Sequence, residues 1–98
     1  MVALVTGLAA LAMVGRSTAA ATLPSGFEDQ LLASTTKPTA LAFTPDGRML
    51  VATQPGQLRI YKNGQLLRTP ALDTSSKICA NSERGMLGVA VDPNFSTN

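Results

Sequence analysis

The sequence predicts an all-β fold made of short antiparallel strands joined by tight turns. Three observations lead to this fold class. Between residues 39 and 69, apolar segments of strand length alternate with clusters of turn-forming residues. Asn63-Gly64 is the strongest hairpin signal of the chain, because a type I′ turn needs positive φ at both central positions. In addition, residues 40–46 recur in related form at residues 88–94, which indicates a repeated unit.

The first hairpin is predicted at a Pro-Asp-Gly turn over residues 45–47. Residues 39–43 precede it as a short apolar run of strand length, and residues 49–53 follow it as the return strand. In the turn, proline presets φ, aspartate can bond its own backbone, and glycine accepts positive φ. Upstream, residues 27–33 are a further candidate for a short strand.

A second turn over residues 54–56 leads into the strand with the clearest alternation. Residues 57–62 alternate strictly between apolar and polar side chains, so that Leu58 and Ile60 share one face. After the Asn-Gly turn, residues 65–69 are predicted to complete a fourth strand. Four strands with such short connections fit a meander, a sandwich or a barrel equally well.

The internal repeat decides between these architectures. Residues 40–46 and 88–94 both run from small and apolar residues through one polar position to Pro and then Asp or Asn, at an offset of 48 residues. A four-stranded unit that recurs at this period is typical of a β-propeller blade. The sequence then holds one complete blade and, over residues 85–91, the inner strand of the next. Since a blade needs a neighbour on each face, we expect Asn98 to be a truncation point.

The first 21 residues are predicted to be a secretory signal peptide that precedes the fold. Residues 2–14 form an unbroken run of apolar and small residues, too short for a membrane-spanning helix, which needs about 20. Ala19 and Ala21 supply a small-residue cleavage site, although no Lys or Arg precedes the run. A buried or membrane-anchoring helix is the alternative. The signal peptide predicts a secreted or periplasmic protein with no membrane span after its removal.

Composition and charge exclude a disordered tail and a nucleic-acid-binding surface. The chain is 45% hydrophobic and 14% charged, with a net charge of +2. Residues 22–98 contain seven scattered basic side chains and six acidic ones, and no basic patch is formed.

The one cysteine, Cys79, predicts either a disulfide or a free thiol. We favour a disulfide with a partner beyond Asn98, with a buried free cysteine as the alternative.

Residues for catalysis or metal binding are few. The sequence contains no histidine, so no imidazole is available as a base or a metal ligand. It also has no glycine-rich loop of the kind that binds phosphate. Asp46, Asp92 and Asn94 lie in predicted turns, where a structural role is expected rather than calcium binding. No metal site is therefore predicted in these 98 residues.

One polar cluster, residues 79–84, lies in the long connection that enters the strand predicted over residues 85–91. Ligand sites of propellers collect at the channel end of such inner strands. The carboxylate of Glu83 is therefore a candidate for contact with a substrate or cofactor. The alternatives are an ion pair between Glu83 and Arg84, or a surface loop with solvated charges.

Three blocks of the sequence carry a recognisable pattern: residues 38–48 (PTALAFTPDGR), 55–60 (PGQLRI) and 83–95 (ERGMLGVAVDPNF). In sequence, order and spacing they resemble the glucose/sorbosone dehydrogenase family. The third is the sharpest, because it resembles the family's block of an acidic or amide residue, any residue, Gly-Leu-Leu-Gly and a later Pro-x-Phe. The sequence departs from the family at Gln54, where Glu usually follows Thr, and at Met86, which replaces Leu.

The resemblance implies a six-bladed propeller, of which residues 22–98 are the incomplete N-terminal part. It implies an oxidoreductase that oxidises aldose sugars at the anomeric carbon with pyrroloquinoline quinone and calcium, and that needs an electron acceptor. The family's base, a histidine of the second blade, and its calcium ligands would lie beyond Asn98. The 98 residues are therefore expected to bind no cofactor and to be inactive alone. Of the family's pocket positions, which contact substrate and quinone, only Glu83 has a counterpart here.

Two other functions remain compatible with the resemblance, because one fold hosts unrelated activities. The first is a propeller of the same family that has lost the cofactor and only binds an extracellular partner. The second is a calcium-dependent lactonase-type hydrolase, which the block over residues 83–88 disfavours. A histidine early in the next blade, with later Arg and Lys for the quinone, would distinguish the dehydrogenase from the binding module.

Overall fold

The computed structural model describes residues 22–98, which form one antiparallel sheet of five strands and no helix. The strands are β1 (Pro38–Phe43), β2 (Met49–Thr53), β3 (Gln57–Lys62), β4 (Gln65–Leu66) and β5 (Leu72–Asp73). Strands β1 to β4 are neighbours in chain order, and β5 pairs with β3 as well. The predicted all-β class and the up-and-down order of the strands are confirmed. The predicted signal peptide lies outside the described residues.

The two turns predicted from Asp46-Gly47 and Asn63-Gly64 both form. Gly47 has a φ of 83°, and its amide donates to the Thr44 carbonyl over 3.0 Å. Asn63 and Gly64 have φ values of 52° and 80°, the pair of positive values that defines a type I′ turn. These turns set the registers of the hairpins that join β1 to β2 and β3 to β4.

Both faces of the sheet are apolar. Residues paired across an antiparallel ladder lie on the same face. One face therefore carries Leu41, Phe43, Met49, Val51 and Tyr61 with one charged residue, Arg59, and the other carries Ala42, Leu50, Ala52, Leu58 and Ile60. Among the five strands only the central β2 contains buried residues, Val51 to Thr53, whereas Leu41 and Phe43 on β1 are 56% and 70% exposed. A sheet that is apolar on both sides fits a propeller blade, which packs between two neighbours.

The fourth predicted strand is shorter than expected. It was predicted over residues 65–69, but β4 ends at Leu66. The chain returns to the same edge of β3 as β5, which the sequence did not predict. Between these two strands, residues 67–71 lie opposite only residues 59–60 of β3, so the edge strand bulges. Pro70, which has no amide hydrogen, lies in this bulge.

Two further strand predictions are wrong for the described residues. Residues 27–33 belong to no ladder, and Phe27 and Leu31 are 73% and 81% exposed. Residues 85–91 form no strand either, because no other segment within residues 22–98 pairs with them. Their one backbone bond to the sheet comes from the amide of Met86. No helix among residues 22–98 is long and apolar enough to cross a membrane.

Candidate functional site

The candidate site is the turn over residues 81–86, which we call the Glu83 turn. The amide of Arg84 donates to the carbonyl of Asn81 over 3.1 Å and closes it. Ser82 has a φ of 53°, which is uncommon for a residue other than glycine. The side chain of Glu83 is exposed, and within residues 22–98 it forms no ion pair with Arg84. The alternative of a Glu83–Arg84 pair is therefore not observed.

Gln54, the first residue after β2, attaches this turn to the sheet. Its side-chain amide Nε2 donates to the carbonyl of Ser82 over 2.6 Å and to the carbonyl of Arg84 over 3.0 Å. Its own carbonyl accepts a hydrogen bond from the amide of Met86 over 3.1 Å. Gln54 thus holds the backbone on both sides of Glu83.

Two more contacts fix the exit of the turn. The Thr39 hydroxyl donates to the Met86 carbonyl over 2.6 Å, and it also lies 3.2 Å from the Ala52 carbonyl. Gly85 has a φ of 150° and lies directly against Gln54. A Cβ at position 85 would overlap the carbonyl oxygen of Gln54 and lie 2.7 Å from its Cγ. Glycine is therefore the residue that this close approach requires.

The Glu83 turn lies at the end of the sheet where β1 begins and β2 ends. The amide of Gln54 donates to the carbonyl of Lys37 over 2.9 Å, which joins these two strand ends. The long connection after β5 starts at the same end, where the amide of Thr74 donates to the carbonyl of Gly56 over 2.8 Å. Connecting loops that a rigid sheet brings together at one end are where binding residues concentrate.

Asp46 and Arg48 support the first turn rather than this site. Arg48 Nη2 lies 2.8 Å from Asp46 Oδ2, and its Nε donates to Oδ1 over 3.0 Å. This bond to Arg48, together with the hydroxyl of Thr44, lowers the pKa of Asp46 to about 2. The guanidinium of Arg48 also lies 5.4 Å from the centre of the Phe95 ring, so it connects two turns.

The other candidate residues also have local roles. The Asp92 carboxylate accepts a hydrogen bond from the Asn94 amide over 2.7 Å, the geometry of an Asx turn. Among the residues that the structure describes, no group of three or more His, Cys, Asp or Glu side chains could hold a metal ion. The thiol of Cys79 is free and exposed, and its disulfide with a residue beyond Asn98 stays a prediction.

A protein-family model described as Glucose/Sorbosone dehydrogenase matches residues 35–98, which include all five strands and the Glu83 turn. The chain belongs to the glucose/sorbosone dehydrogenase family. This membership confirms the resemblance that the three sequence blocks indicated. The comparisons with curated proteins and with solved structures gave no match.

Sequence reasoning singled out Glu83 as a candidate, and its role stays a prediction, but it missed the residues that hold the Glu83 turn. Gln54 was noted only as a departure from the family's usual Glu, although its side chain reaches residues 28 and 30 positions later. The role of Thr39 was not expected, because a bond across 47 residues leaves no local pattern. Gly85 gave the one usable signal, since a glycine beside a polar cluster indicates a close backbone approach.

Proposed function

We propose that the chain is the N-terminal part of an exported dehydrogenase that oxidises aldose sugars at the anomeric carbon with pyrroloquinoline quinone. The observation that supports this proposal is the family match over residues 35–98. It covers a sheet whose two apolar faces suit a blade, and it includes the turn that presents Glu83. Electrons leave through a separate acceptor.

Glu83 is the residue of this chain that we assign to the pocket. Its carboxylate is exposed, while the carbonyls on either side of it are held by Gln54. In a pocket that excludes water, such a carboxylate accepts a hydrogen bond from a sugar hydroxyl, worth about 1.5–3 kcal/mol. Because the backbone is already fixed, little further ordering is needed when the sugar binds.

The proposed reaction converts the C1–OH of the sugar to the lactone and releases two electrons and two protons. Pyrroloquinoline quinone, when bound, would supply the acceptor for the two electrons and two protons, and an external electron acceptor would take up the electrons in turn. Glu83 fits a contact to the sugar or the quinone, because it is an exposed acceptor on a fixed backbone. The base and the calcium ligands that the family implies are assigned to residues beyond Asn98.

The direct test is dye-linked oxidation of aldoses by the full-length protein supplied with calcium, with and without the quinone. We expect dye reduction and lactone formation only with the quinone. Residues 1–98 alone should give none, because they contain no histidine. Failure to oxidise any aldose would overturn the proposal, and opening of lactones without dye reduction would favour the hydrolase instead.

Export is tested on the mature protein. The apolar run over residues 2–14 and the small residues at Ala19 and Ala21 are expected to direct cleavage near Ala21. Mass spectrometry of the exported protein should therefore find a chain that begins near residue 22. A chain that keeps Met1 would contradict the signal peptide.

A further inference from the structure

Gln54 forms three hydrogen bonds with the Glu83 turn. Its side chain donates to the carbonyls of Ser82 and Arg84, and its backbone oxygen accepts from the amide of Met86. The two acceptor carbonyls belong to the residues on either side of Glu83. No other side chain among residues 22–98 bonds to both flanks of this turn.

These two bonds need a side chain at position 54 that donates twice, which the Gln54 amide does and an ionised carboxylate cannot. Both acceptors are carbonyl oxygens, and a glutamine Nε2 has two hydrogens, one for each. A carboxylate at this position would place negative charge against both carbonyls and could donate to neither while ionised. The departure from the family's usual Glu is therefore the feature that makes this pair of bonds available in this chain.

The turn also needs an external support. Ser82 has positive φ, and Gly85 adopts a φ of 150° pressed against Gln54. Residues held in such conformations persist where the surrounding structure determines them. Without the amide of Gln54, the carbonyls of Ser82 and Arg84 would lose their side-chain donor. The backbone that carries Glu83 would then be less firmly held.

We propose that Gln54 is a positioning residue that sets the location of the Glu83 carboxylate for substrate. This inference rests on the proposed function, in which Glu83 contacts the sugar or the quinone. Gln54 touches neither; it acts through Glu83. A small misplacement of a group that contacts substrate lowers the rate strongly, so loss of the amide should reduce kcat/KM.

The test compares Gln54→Met with Gln57→Met in the full-length protein. Gln57 is the matched control, because its amide also bonds within the sheet, to Asp73 Oδ2 over 2.8 Å, but does not touch the Glu83 turn. We expect Gln54→Met to lower kcat/KM for aldose oxidation about tenfold, and Gln57→Met to leave it unchanged. The same Gln54→Met change in a Glu83→Ala background should alter kcat/KM less than about twofold, because its effect passes through Glu83.

Equal losses from Gln54→Met in both backgrounds would overturn the proposal, since a general structural effect does not depend on Glu83. Amide hydrogen exchange over residues 81–86 gives a readout that needs no activity. Exchange should accelerate about tenfold or more in Gln54→Met and stay unchanged in Gln57→Met. If the wild-type protein oxidises no aldose, the proposed function fails, whereas unchanged exchange in Gln54→Met is what refutes the positioning role.

A second variant covers the case in which Gln54→Met does not fold. Gln54→Glu keeps the size of the side chain and can donate only when its carboxyl is protonated. Protection of residues 81–86 in this variant, relative to wild type, should fall as pH rises through the ordinary Glu pKa of about 4.3. Lys37, Glu83 and Arg84 are common to both proteins, so the difference isolates position 54. A pH profile identical to that of wild type would refute the proposal.

Discussion

At the scale of single residues, the contact between Gln54 and Gly85 brings a distant loop onto the sheet. Gly85 has no side chain, and this allows the carbonyl of Gln54 to meet the backbone of the Glu83 turn. The same carbonyl receives the amide of Met86. Gly85 has no reactive side chain, but the close approach that it allows helps to determine where the candidate carboxylate of Glu83 lies.

Gly85→Ala should destabilise the protein more than Gly64→Ala. Both glycines have positive φ, so both substitutions strain the backbone, but only the Cβ at position 85 meets other atoms, those of Gln54. We expect urea unfolding to show a further loss of about 1–3 kcal/mol for Gly85→Ala, from this overlap. Equal losses in the two variants would mean that the close approach to Gln54 is absent in solution.

Asp46 should titrate well below an ordinary aspartate. Its bonds to Arg48 and Thr44 lower its pKa from 3.8 to about 2. Because the folded-state pKa is the lower one, the stabilisation is fully present above pH 3.8 and is lost as pH falls through about 2. The carboxyl chemical shift of Asp46 measures this by NMR, and Asp46→Asn should lose the corresponding dependence of stability on pH. A midpoint near 3.8 would contradict the bonded geometry.

At the scale of elements, the outer edge of the sheet depends on one arginine. Where the chain bulges between β4 and β5, Arg59 Nη2 donates to the carbonyl of Leu67 over 2.8 Å and lies 3.4 Å from that of Arg68. The bulge ends where the amide of Ala71 donates to the carbonyl of Leu58 over 2.8 Å. The side chain of Arg59 thus replaces the backbone partners that the bulge removes.

Arg59→Met should therefore loosen the bulge while leaving the first three strands intact. We expect a loss of about 1 kcal/mol in the free energy of unfolding, and faster exchange of the Ala71 amide. Arg68→Met is the matched control, because the side chain of Arg68 is exposed and only its backbone carbonyl takes part. The same loss in both variants would show that charge, rather than the bonds of Arg59, stabilises the edge.

The first three strands could be predicted from sequence because the features that specify them, apolar runs and turn residues, lie within the strands and the turns between them. The predicted segments 39–43, 49–53 and 57–62 differ from the observed strands by one residue at most. The segments 27–33 and 85–91 also contain apolar residues at strand length, but neither pairs with another segment among the described residues, and local sequence does not show which segments pair. β5 was missed because its two residues have no strand pattern of their own and are a strand only through pairing with β3.

The site was predictable only in part. Glu83 could be singled out as a candidate because it opens a block that resembles the family, and its contact with a ligand stays a prediction. The donors that hold its turn could not, because Thr39 and Gln54 are far from it in the chain and neither residue type signals a bond to a distant carbonyl. Turn residues such as Asp46 were correctly assigned a structural role because their partners are two residues away.

At the scale of the whole molecule, the sheet and the family match agree on one architecture. A sheet that is apolar on both faces exposes apolar surface to water on both sides unless other parts of the protein cover it. Neighbouring blades of the same protein would cover both faces, and the repeat at an offset of 48 residues is consistent with such neighbours. In that arrangement the end of the sheet that carries the Glu83 turn would face the proposed sugar pocket.

The measurement that tests this account most directly is kcat/KM for aldose oxidation by the full-length protein and its Glu83→Ala variant. Glu28→Ala is the control, because Glu28 is also exposed and lies outside the family match. We predict that Glu83→Ala lowers kcat/KM by about 10- to 100-fold at an unchanged melting temperature, whereas Glu28→Ala has no effect. Unchanged kinetics in Glu83→Ala would contradict the account, and Glu83 would then be a solvated charge on a surface loop.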